Sequence, residues 1–259
     1  MGRAIAVANQ KGGVGKTTTA VNLSACLAEK GKRVLVIDID PQGNTTSGLG
    51  LDKNAQEYTT YDLLLGECGI EECMSETPVE GLSLIPSNID LSGAEIELIS
   101  VERSSFILRD ALDPVRGDYD FIIIDCPPSL SLLTLNAMCA ADTVLVPIQC
   151  EYYALEGLSQ LMHTIDLIRE RLNPSLEMEG IVFTMFDART NLSAQVVENV
   201  KENLDKKIYD TIIPRNIRLA EAPSYSLPII MYDPRSAGAN AYRLLAEEVI
   251  EREDPEEWQ

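Results

Sequence analysis

Histidine, basic residues and long apolar runs are all scarce in this chain of 259 residues. The only histidine is His163, so a catalytic Ser-His-Asp or Cys-His arrangement would have to depend on it. It lies in an amphipathic helical pattern, which favours a surface or packing role. No apolar run approaches the ~20 residues of a membrane span, and the first residues contain no leucine-rich signal-peptide core. We therefore expect neither histidine-based hydrolysis nor a membrane-bound or exported protein.

Basic residues are outnumbered, with 21 Lys and Arg against 41 Asp and Glu and a formal net charge of −20. Repulsion on that scale opposes the binding of a polyanion by bulk charge, unless basic groups are concentrated locally. Residues 180–243 hold eight basic and seven acidic groups, a net of +1, which leaves −21 on the rest of the chain. This segment is therefore the candidate for any contact with nucleic acid.

Cysteine is present, but no two cysteines form a C-x-x-C pair. A metal cluster held by cysteines would need paired spacing or converging ligands, so this pattern disfavours one. The prediction is buried, reduced thiols in a cytosolic protein. The positions concerned are Cys26, Cys68, Cys73, Cys126, Cys139 and Cys150.

Short apolar runs alternate with segments of helical period along most of the chain. The runs are continuous rather than alternating with polar residues, which indicates strands covered on both faces. The sequence therefore predicts one α/β domain over residues 1–250, a doubly wound and mainly parallel sheet with helices on both faces, followed by an acidic tail at 251–259. Predicted strands lie at 4–8, 33–37, 82–85, 121–124, 143–146, 180–183 and 208–213, and predicted helices at 17–29, 93–100, 131–141, 154–172, 194–204 and 237–253.

A glycine-rich loop follows the first predicted strand and opens a helix. Its spacing is related to the G-x-x-x-x-G-K-[ST] phosphate loop, with Gln10 in place of the first glycine. Glycines let several backbone N–H groups point at phosphate oxygens, and the helix N-terminus adds partial positive charge. Lys16 would contact the β- and γ-phosphates, and the Thr17 hydroxyl would bind Mg²⁺. The predicted ATP-binding residues here are Lys11, Gly12, Gly13, Val14, Gly15, Lys16, Thr17 and Thr18.

This loop, with its additional lysine Lys11, resembles the deviant Walker A motif of the ParA/MinD superfamily of ATPases. Further stretches are similar to the chromosomal, Soj-like ParA partition ATPases, and the resemblance extends to about Glu248. It implies a P-loop NTPase of the deviant Walker A type that hydrolyses ATP with Mg²⁺ in the cytoplasm, on the nucleoid. The further stretches are residues 38–44, 124–129, 149–157 and 213–216.

Three aspartates follow apolar runs, at the sheet edge where doubly wound folds bind ligands. Asp125 is predicted to be a Walker B-type carboxylate that holds Mg²⁺, directly or through water. The resemblance implies that Asp38 supports the metal and the switch region, and that Asp40 positions or activates the attacking water. An aspartate at the end of a strand can also be a turn or helix cap.

The resemblance implies that Lys11 acts in trans, in a homodimer that encloses two ATP molecules. Gly12 would lie where the subunits approach most closely, and residues 40–47 and 125–130 would be switch loops sensitive to the γ-phosphate. Catalysis is then assigned to Lys11, Lys16 and Asp40. The alternative for Lys11 is a solvated lysine beside a loop.

Adenine and DNA contacts are also implied by the resemblance. Pro214 and Asn216 are assigned to the nucleotide, although a strand-to-loop turn explains them almost as well. Arg189 and Arg218 match positions that contact double-stranded DNA without sequence preference, the alternative being surface ion pairs. A ParB-like protein is the expected partner that stimulates hydrolysis. Lys206 and Lys207 are left open between the two interpretations of the basic residues.

Other functions remain as alternatives. A MinD-like membrane-cycling ATPase would end in a basic amphipathic helix, whereas this chain ends in acidic residues. We expect no operator-binding domain, since the phosphate loop opens at Lys11, and no nitrogenase-reductase-like cluster, since the contexts of Cys126 and Cys139 do not match. A small-molecule kinase and an ATPase that positions another cargo stay open.

Overall fold

Eight strands form one sheet in this computed structural model, which describes residues 2–151, 154–203 and 208–252. The sheet order is β3-β4-β2-β5-β1-β6-β7-β8, and every pairing is parallel except that of β3 with β4. The predicted doubly wound, mainly parallel sheet is therefore confirmed. The strands are β1 (Arg3–Val7), β2 (Val34–Asp38), β3 (Ser75–Glu76), β4 (Leu82–Ile85), β5 (Phe121–Asp125), β6 (Thr143–Gln149), β7 (Glu177–Phe186) and β8 (Ile208–Pro214).

Helices cover both faces of the sheet. The first group packs on one face, in a core that includes Leu108 and Ile165. The second group packs on the other face, in a core that includes Leu23 and Leu245. The first group is α3 (Thr60–Leu65), α4 (Leu91–Glu97), α5 (Ile107–Leu112), α6 (Leu132–Ala140), α7 (Ala154–Arg171) and α8 (Asn191–Asn203), and the second is α1 (Lys16–Glu29), α2 (Asn44–Gly48), α9 (Ile217–Glu221), α10 (Ile229–Tyr232) and α11 (Ala237–Glu251).

The central strands explain why continuous apolar runs predicted this fold. Every residue of β2 and of β5 is buried, because helices cover both faces of the strands. Asp38 and Asp125, the last residues of these strands, are register partners at the carboxyl edge. Two acidic side chains therefore meet at the edge where the phosphate loop begins.

Several elements differ from the predictions. The short helices α2, α3, α5, α9 and α10 and the two-residue strand β3 were not predicted, because runs of this length carry no clear period. α4 begins at Leu91 and ends at Glu97, and a 3₁₀ turn continues it to Ser100. Lys206 and Lys207 lie outside the described residues, as do residues 253–259 of the predicted acidic tail.

The cysteine prediction was right for four positions and wrong for two. Cys68 and Cys73 form a disulfide across the loop after α3. Their five-residue separation is not a recognised motif, and only the turn that brings them together reveals the pair. His163, as expected, lies on the exposed surface of α7. None of the described helices is long and apolar enough to cross a membrane. The four free cysteines are Cys26, Cys126, Cys139 and Cys150, all buried.

Candidate functional site

The glycine loop connects the end of β1 to the start of α1. Gly13 has φ 74° and Gly15 has φ 90°, values that L-residues with side chains rarely adopt. Between them Val14 is buried, and its carbonyl accepts a hydrogen bond of 2.8 Å from Thr184 Oγ1 on β7. α1 then begins at Lys16, so its N-terminal N–H groups lie beside the loop. The loop is thus shaped and tethered as a phosphate cradle.

Lys16 points inward from this loop. Its side chain is buried, and Nζ donates a hydrogen bond of 3.1 Å to the Lys11 carbonyl. Burial lowers the pKa of the ammonium, while the charges of Asp125 and Asp40 oppose that shift. The adjoining cleft, of about 400 Å³, is lined by the glycines of the loop, Thr17, Asp40 and Asn44 among others. An anionic phosphate in this cleft would supply the counter-charge that the buried ammonium needs.

Asp125 offers an oxygen for a metal ion. Its Oδ2 accepts hydrogen bonds from Thr17 Oγ1 at 2.8 Å and from Thr45 Oγ1 at 2.7 Å. Its Oδ1 is buried and has no hydrogen-bond partner among the residues that the structure describes. Burial is the main cause that raises the pKa of this carboxyl, so a cation would stabilise the charged form. A carboxylate beside a threonine hydroxyl is the oxygen donor set that Mg²⁺ prefers.

The metal site would be completed by the substrate. No group of three or more His, Cys, Asp or Glu side chains within the described parts of the chain is placed to hold a metal ion. Mg²⁺ retains waters and binds through one or two carboxylates together with phosphate oxygens. The residues present therefore fit a magnesium ion that arrives with the nucleotide.

Asp38 is fully buried and uses both carboxylate oxygens within the chain. Oδ2 accepts from the Thr46 N–H and hydroxyl, each at 2.8 Å, and Oδ1 accepts from the Asp40 N–H at 3.2 Å. Burial, followed by the charge of Asp125, raises its pKa. The observed contacts hold the loop between β2 and α2 rather than reaching Thr17. These contacts place Asp38 against the predicted switch loop, and its support of the metal and the switch stays a prediction.

Asp40 lines the phosphate cleft on the side facing the loop glycines. Its Oδ1 accepts a hydrogen bond of 2.9 Å from the Gln42 N–H, and its carbonyl accepts one of 2.8 Å from Ser87 Oγ. The side chain is buried and forms part of the cleft wall. A carboxylate in this place can accept a proton from water.

Lys11 points away from the interior. Its Nζ forms an exposed ion pair with Glu151 Oε2 at 2.8 Å. The backbone N–H of Lys11 is held by Asn9 Oδ1 at 2.9 Å. A Cβ at the neighbouring Gly12 would meet no atom within 4 Å. The need for glycine at residue 12 therefore does not come from packing within the described part of one subunit.

A second cavity, of about 270 Å³, adjoins the phosphate loop at Gly15 and Thr18. Pro214 and Asn216 line it, together with Met185, Ile213 and Tyr242. Asn216 Oδ1 accepts hydrogen bonds from the N–H groups of Arg218 and Leu219 and so caps α9. A pocket lined by apolar side chains together with an amide suits a purine base.

The two predicted DNA-contacting arginines lie at neighbouring strand ends. Phe186 and Pro214 are register partners at the ends of β7 and β8, so the loop that carries Arg189 and the segment that leads to Arg218 on α9 leave the sheet side by side. Arg189 is 86% exposed and pairs with Asp187 at 2.7 Å, which also holds the pKa of Asp187 below its usual range. Arg218 pairs with Glu221 at 2.9 Å. Exposed pairs of this kind contribute little energy, and a phosphate can replace the carboxylate.

The chain is similar to known proteins over almost its whole length. A family model described as an AAA domain matches residues 2–178. The sporulation initiation inhibitor protein Soj of Bacillus subtilis is 57% identical over 249 residues, which cover 96% of this chain and 98% of that protein. The chromosome partitioning protein ParA of Myxococcus xanthus is 54% identical over 98% of this chain and 90% of its own. The chain belongs to the Soj/ParA family of chromosome-partitioning ATPases.

Solved structures show the same fold. A Mycobacterium smegmatis protein described as cobyrinic acid a,c-diamide synthase, with bound ADP and magnesium, has a TM-score of 0.86 and 39% identity, covering 97% of this chain and 95% of that one. The cell division ATPase MinD of Pyrococcus furiosus has a TM-score of 0.81 and 28% identity, covering 98% of this chain and all of that one. This chain is accordingly an ATPase that uses Mg²⁺, and its family implies an ATP-dependent dimer with interacting partners.

Sequence reasoning missed several residues that complete the site. Thr45 bonds to Asp125, Ser87 holds the Asp40 carbonyl, and Glu151 pairs with Lys11. Met185 adopts φ 52° and lines both cavities, a strained conformation of the kind that occurs at ligand sites. Of these residues, Thr45 was the easiest to predict from the sequence, because it lies within a loop already expected to be a switch.

Proposed function

We propose that this ATPase is a dimerisation switch for chromosome partition. The observation that carries the proposal is the opposite direction of two lysines on one loop. Lys16 turns inward to the phosphate cleft, whereas Lys11 turns outward, beside a Gly12 that has open space around it. An outward cation next to a surface free of side chains is suited to the phosphates of a second subunit. ATP then joins two copies, because Lys11 of each copy contacts the phosphates of the ATP bound to the other.

Different residues of the cleft have different roles in ATP hydrolysis. Asp40 orients the attacking water and accepts its proton, while Lys16 and the loop N–H groups stabilise the charge on the transferring phosphoryl group. Thr17 and Asp125 would hold Mg²⁺, with Asp38 supporting the switch loop, and the ion neutralises phosphate charge when bound. Lys11 of the second subunit adds positive charge. Release of phosphate removes the negative charge that this lysine contacts, so the dimer dissociates. The base is placed against Pro214 and Asn216.

Non-specific binding to double-stranded DNA is the output that we assign to the ATP-bound dimer. Arg189 and Arg218 follow the ends of two neighbouring strands, and dimerisation doubles the number of phosphate contacts. A monomer with a net charge of −20 would bind weakly by comparison. The single domain of residues 1–250 would therefore act on the nucleoid, in the cytoplasm, without a membrane.

A ParB-like protein is proposed as the partner that stimulates hydrolysis. The acidic surface of this chain complements a basic activator. The ATPase rate should be measured with DNA, with the ParB-like protein, with both together, and with anionic vesicles as a control. Joint stimulation supports the partition switch. Stimulation by vesicles alone would favour a membrane-cycling ATPase, and no response to any of these would contradict the proposed partners.

Lys11→Ala provides the second test. This variant should retain ATP binding but lose both ATP-dependent dimerisation and turnover, because the Lys11 side chain points away from its own cleft and alanine keeps the carbonyl that accepts from Lys16. Lys16→Ala is the contrast, since it should lose nucleotide affinity itself. Unchanged self-association and turnover in Lys11→Ala would overturn the switch.

A further inference from the structure

An exposed apolar stripe lies along α4, on the side of the sheet that carries α3–α8. Leu91, Ala94 and Leu98 pack α4 into the core. At 100° per residue, the opposite face carries Ile96 and the turn residue Ile89, with Ile99 one turn further on. Ile89, Ile96 and Ile99 are 63%, 76% and 79% exposed. We call these three isoleucines the α4 ridge.

The helical register extends back to Ile89. The Ser92 N–H donates to the Ile89 carbonyl at 3.1 Å, and the Gly93 N–H donates to the Asp90 carbonyl at 2.8 Å. Ile89 and Ile96 are thus separated by two turns of one continuous spiral, with the small residues Ser92 and Gly93 between them. Three large aliphatic side chains at this spacing form a ridge onto which an amphipathic segment can pack.

The ridge has an acidic border. Between Leu82 and Glu102 the chain contains four acidic residues and no Lys or Arg. Helical geometry places Glu95 along one edge of the ridge, and Asp90 and Glu97 along the other. The charge of this segment is single-signed up to Glu102, with Arg103 following it in a pair with Asp110, so the border of the ridge favours a cationic partner over an anionic membrane or a nucleic acid.

The ridge is connected to the catalytic cleft through one short loop. Ser87, in the segment between β4 and α4, donates from Oγ to the Asp40 carbonyl at 2.8 Å. Its N–H donates to Thr46 Oγ1 at 2.9 Å, and Thr46 in turn binds Asp38. The segment that leads into α4 is therefore hydrogen-bonded to the loop that carries Asp40.

We propose that the α4 ridge is the docking surface for a basic amphipathic segment of the activating protein. The proposal rests on the proposed function, because it locates the contact through which hydrolysis is stimulated. Apolar side chains of the segment cover the three isoleucines, and its Lys or Arg residues pair with the acidic border. Binding repositions the β4–α4 loop and, through Ser87, the carboxylate of Asp40.

The test uses the double variant Ile96→Ser/Ile99→Ser. Its ATPase rate is titrated with a synthetic basic amphipathic peptide taken from a ParB-like protein, with DNA present. The peptide concentration for half-maximal stimulation should rise at least about tenfold, because two apolar anchors are lost. Basal turnover and ATP-dependent dimerisation should stay at the level of the unmodified protein. Leu244→Ser, an exposed leucine on α11 across the sheet, is the matched control and should respond normally.

The possible outcomes distinguish a failure of the α4 ridge from a failure of the proposed function. Equal stimulation of the double variant and the unmodified protein would overturn the ridge while leaving the partition switch intact. Failure of the peptide and of the whole ParB-like protein to stimulate the unmodified chain would overturn the proposed partner and the ridge with it. Loss of dimerisation in the double variant would reassign the ridge to self-association. A shuffled peptide that stimulates as well would reduce the contact to bulk charge and refute the amphipathic docking.

Discussion

Lys11 Nζ lies 2.8 Å from Glu151 Oε2. An acidic side chain of the same subunit thus pairs with the lysine that, in the proposed dimer, would contact the ATP of the second subunit. Both side chains are largely exposed, and a pair of this kind contributes ~0.2–1 kcal/mol. Dimerisation through Lys11 has to break this contact first. Glu151 therefore acts as a weak restraint on assembly.

Removal of that restraint should favour the dimer. Glu151→Gln keeps the size of the side chain and removes its charge, so the dissociation constant of the ATP-bound dimer should fall by about two- to fivefold. Sedimentation with a non-hydrolysable ATP analogue measures it. Glu170→Gln, an exposed change on α7, should leave it unaltered. A weaker dimer in Glu151→Gln would mean that Glu151 supports the interface instead.

Asp40→Asn should separate hydrolysis from binding. The Asn carbonyl oxygen can still accept the hydrogen bond from the Gln42 N–H, while the basic carboxylate is lost. Turnover should fall at least about 100-fold, with ATP affinity within about twofold of the unmodified protein. Asp52→Asn is the matched control, because Asp52 accepts the same kind of turn bond, from Asn54, outside the cleft. Normal turnover in Asp40→Asn would remove Asp40 from the reaction.

The thiols should show a reactivity that depends on pH and folding. Burial raises the pKa of Cys26 to about 12 and those of Cys139 and Cys150 to about 11. The reactive thiolate is thus rare near neutral pH, and alkylation of the folded protein should be slow and should speed up as pH rises toward these values. Mass spectrometry after unfolding without reductant should find four alkylated cysteines. Six would show that Cys68 and Cys73 are not bonded.

A buried carboxylate should carry much of the stability at the amino edge of the sheet. Glu179 accepts hydrogen bonds from Tyr209 OH at 2.6 Å and Thr143 Oγ1 at 2.8 Å, and it pairs with Arg3. Glu179→Ala leaves the guanidinium without its partner, so the free energy of unfolding in urea should fall by about 3–5 kcal/mol. Glu198→Ala on α8 should cost under ~0.5 kcal/mol. A similar small loss in Glu179→Ala would show that water replaces the carboxylate.

Local sequence was sufficient for the main strands, the phosphate loop and the carboxylates. Continuous runs such as 121–124 can be buried on both faces only within a covered parallel sheet, and Gly13 and Gly15 permit the left-handed backbone that the loop adopts. The residues from Lys11 to Thr18 are adjacent in the chain, so their joint chemistry can be read without knowledge of the fold. Asp38 and Asp125 were placed at one edge by the same logic.

Tertiary structure decided which distant residues complete the site. The contacts of Glu151 with Lys11, Thr45 with Asp125 and Ser87 with Asp40 span 140, 80 and 47 residues. They depend on strand order and loop paths, which hydrophobic periodicity does not encode. The same holds for the α4 ridge, since an isoleucine in a short helix is assigned to the core or to solvent only once its neighbours are placed. The amino-acid sequence alone thus determined the nucleotide chemistry of this protein. Folding determined which distant residue restrains Lys11 and which residues connect the α4 ridge to the cleft.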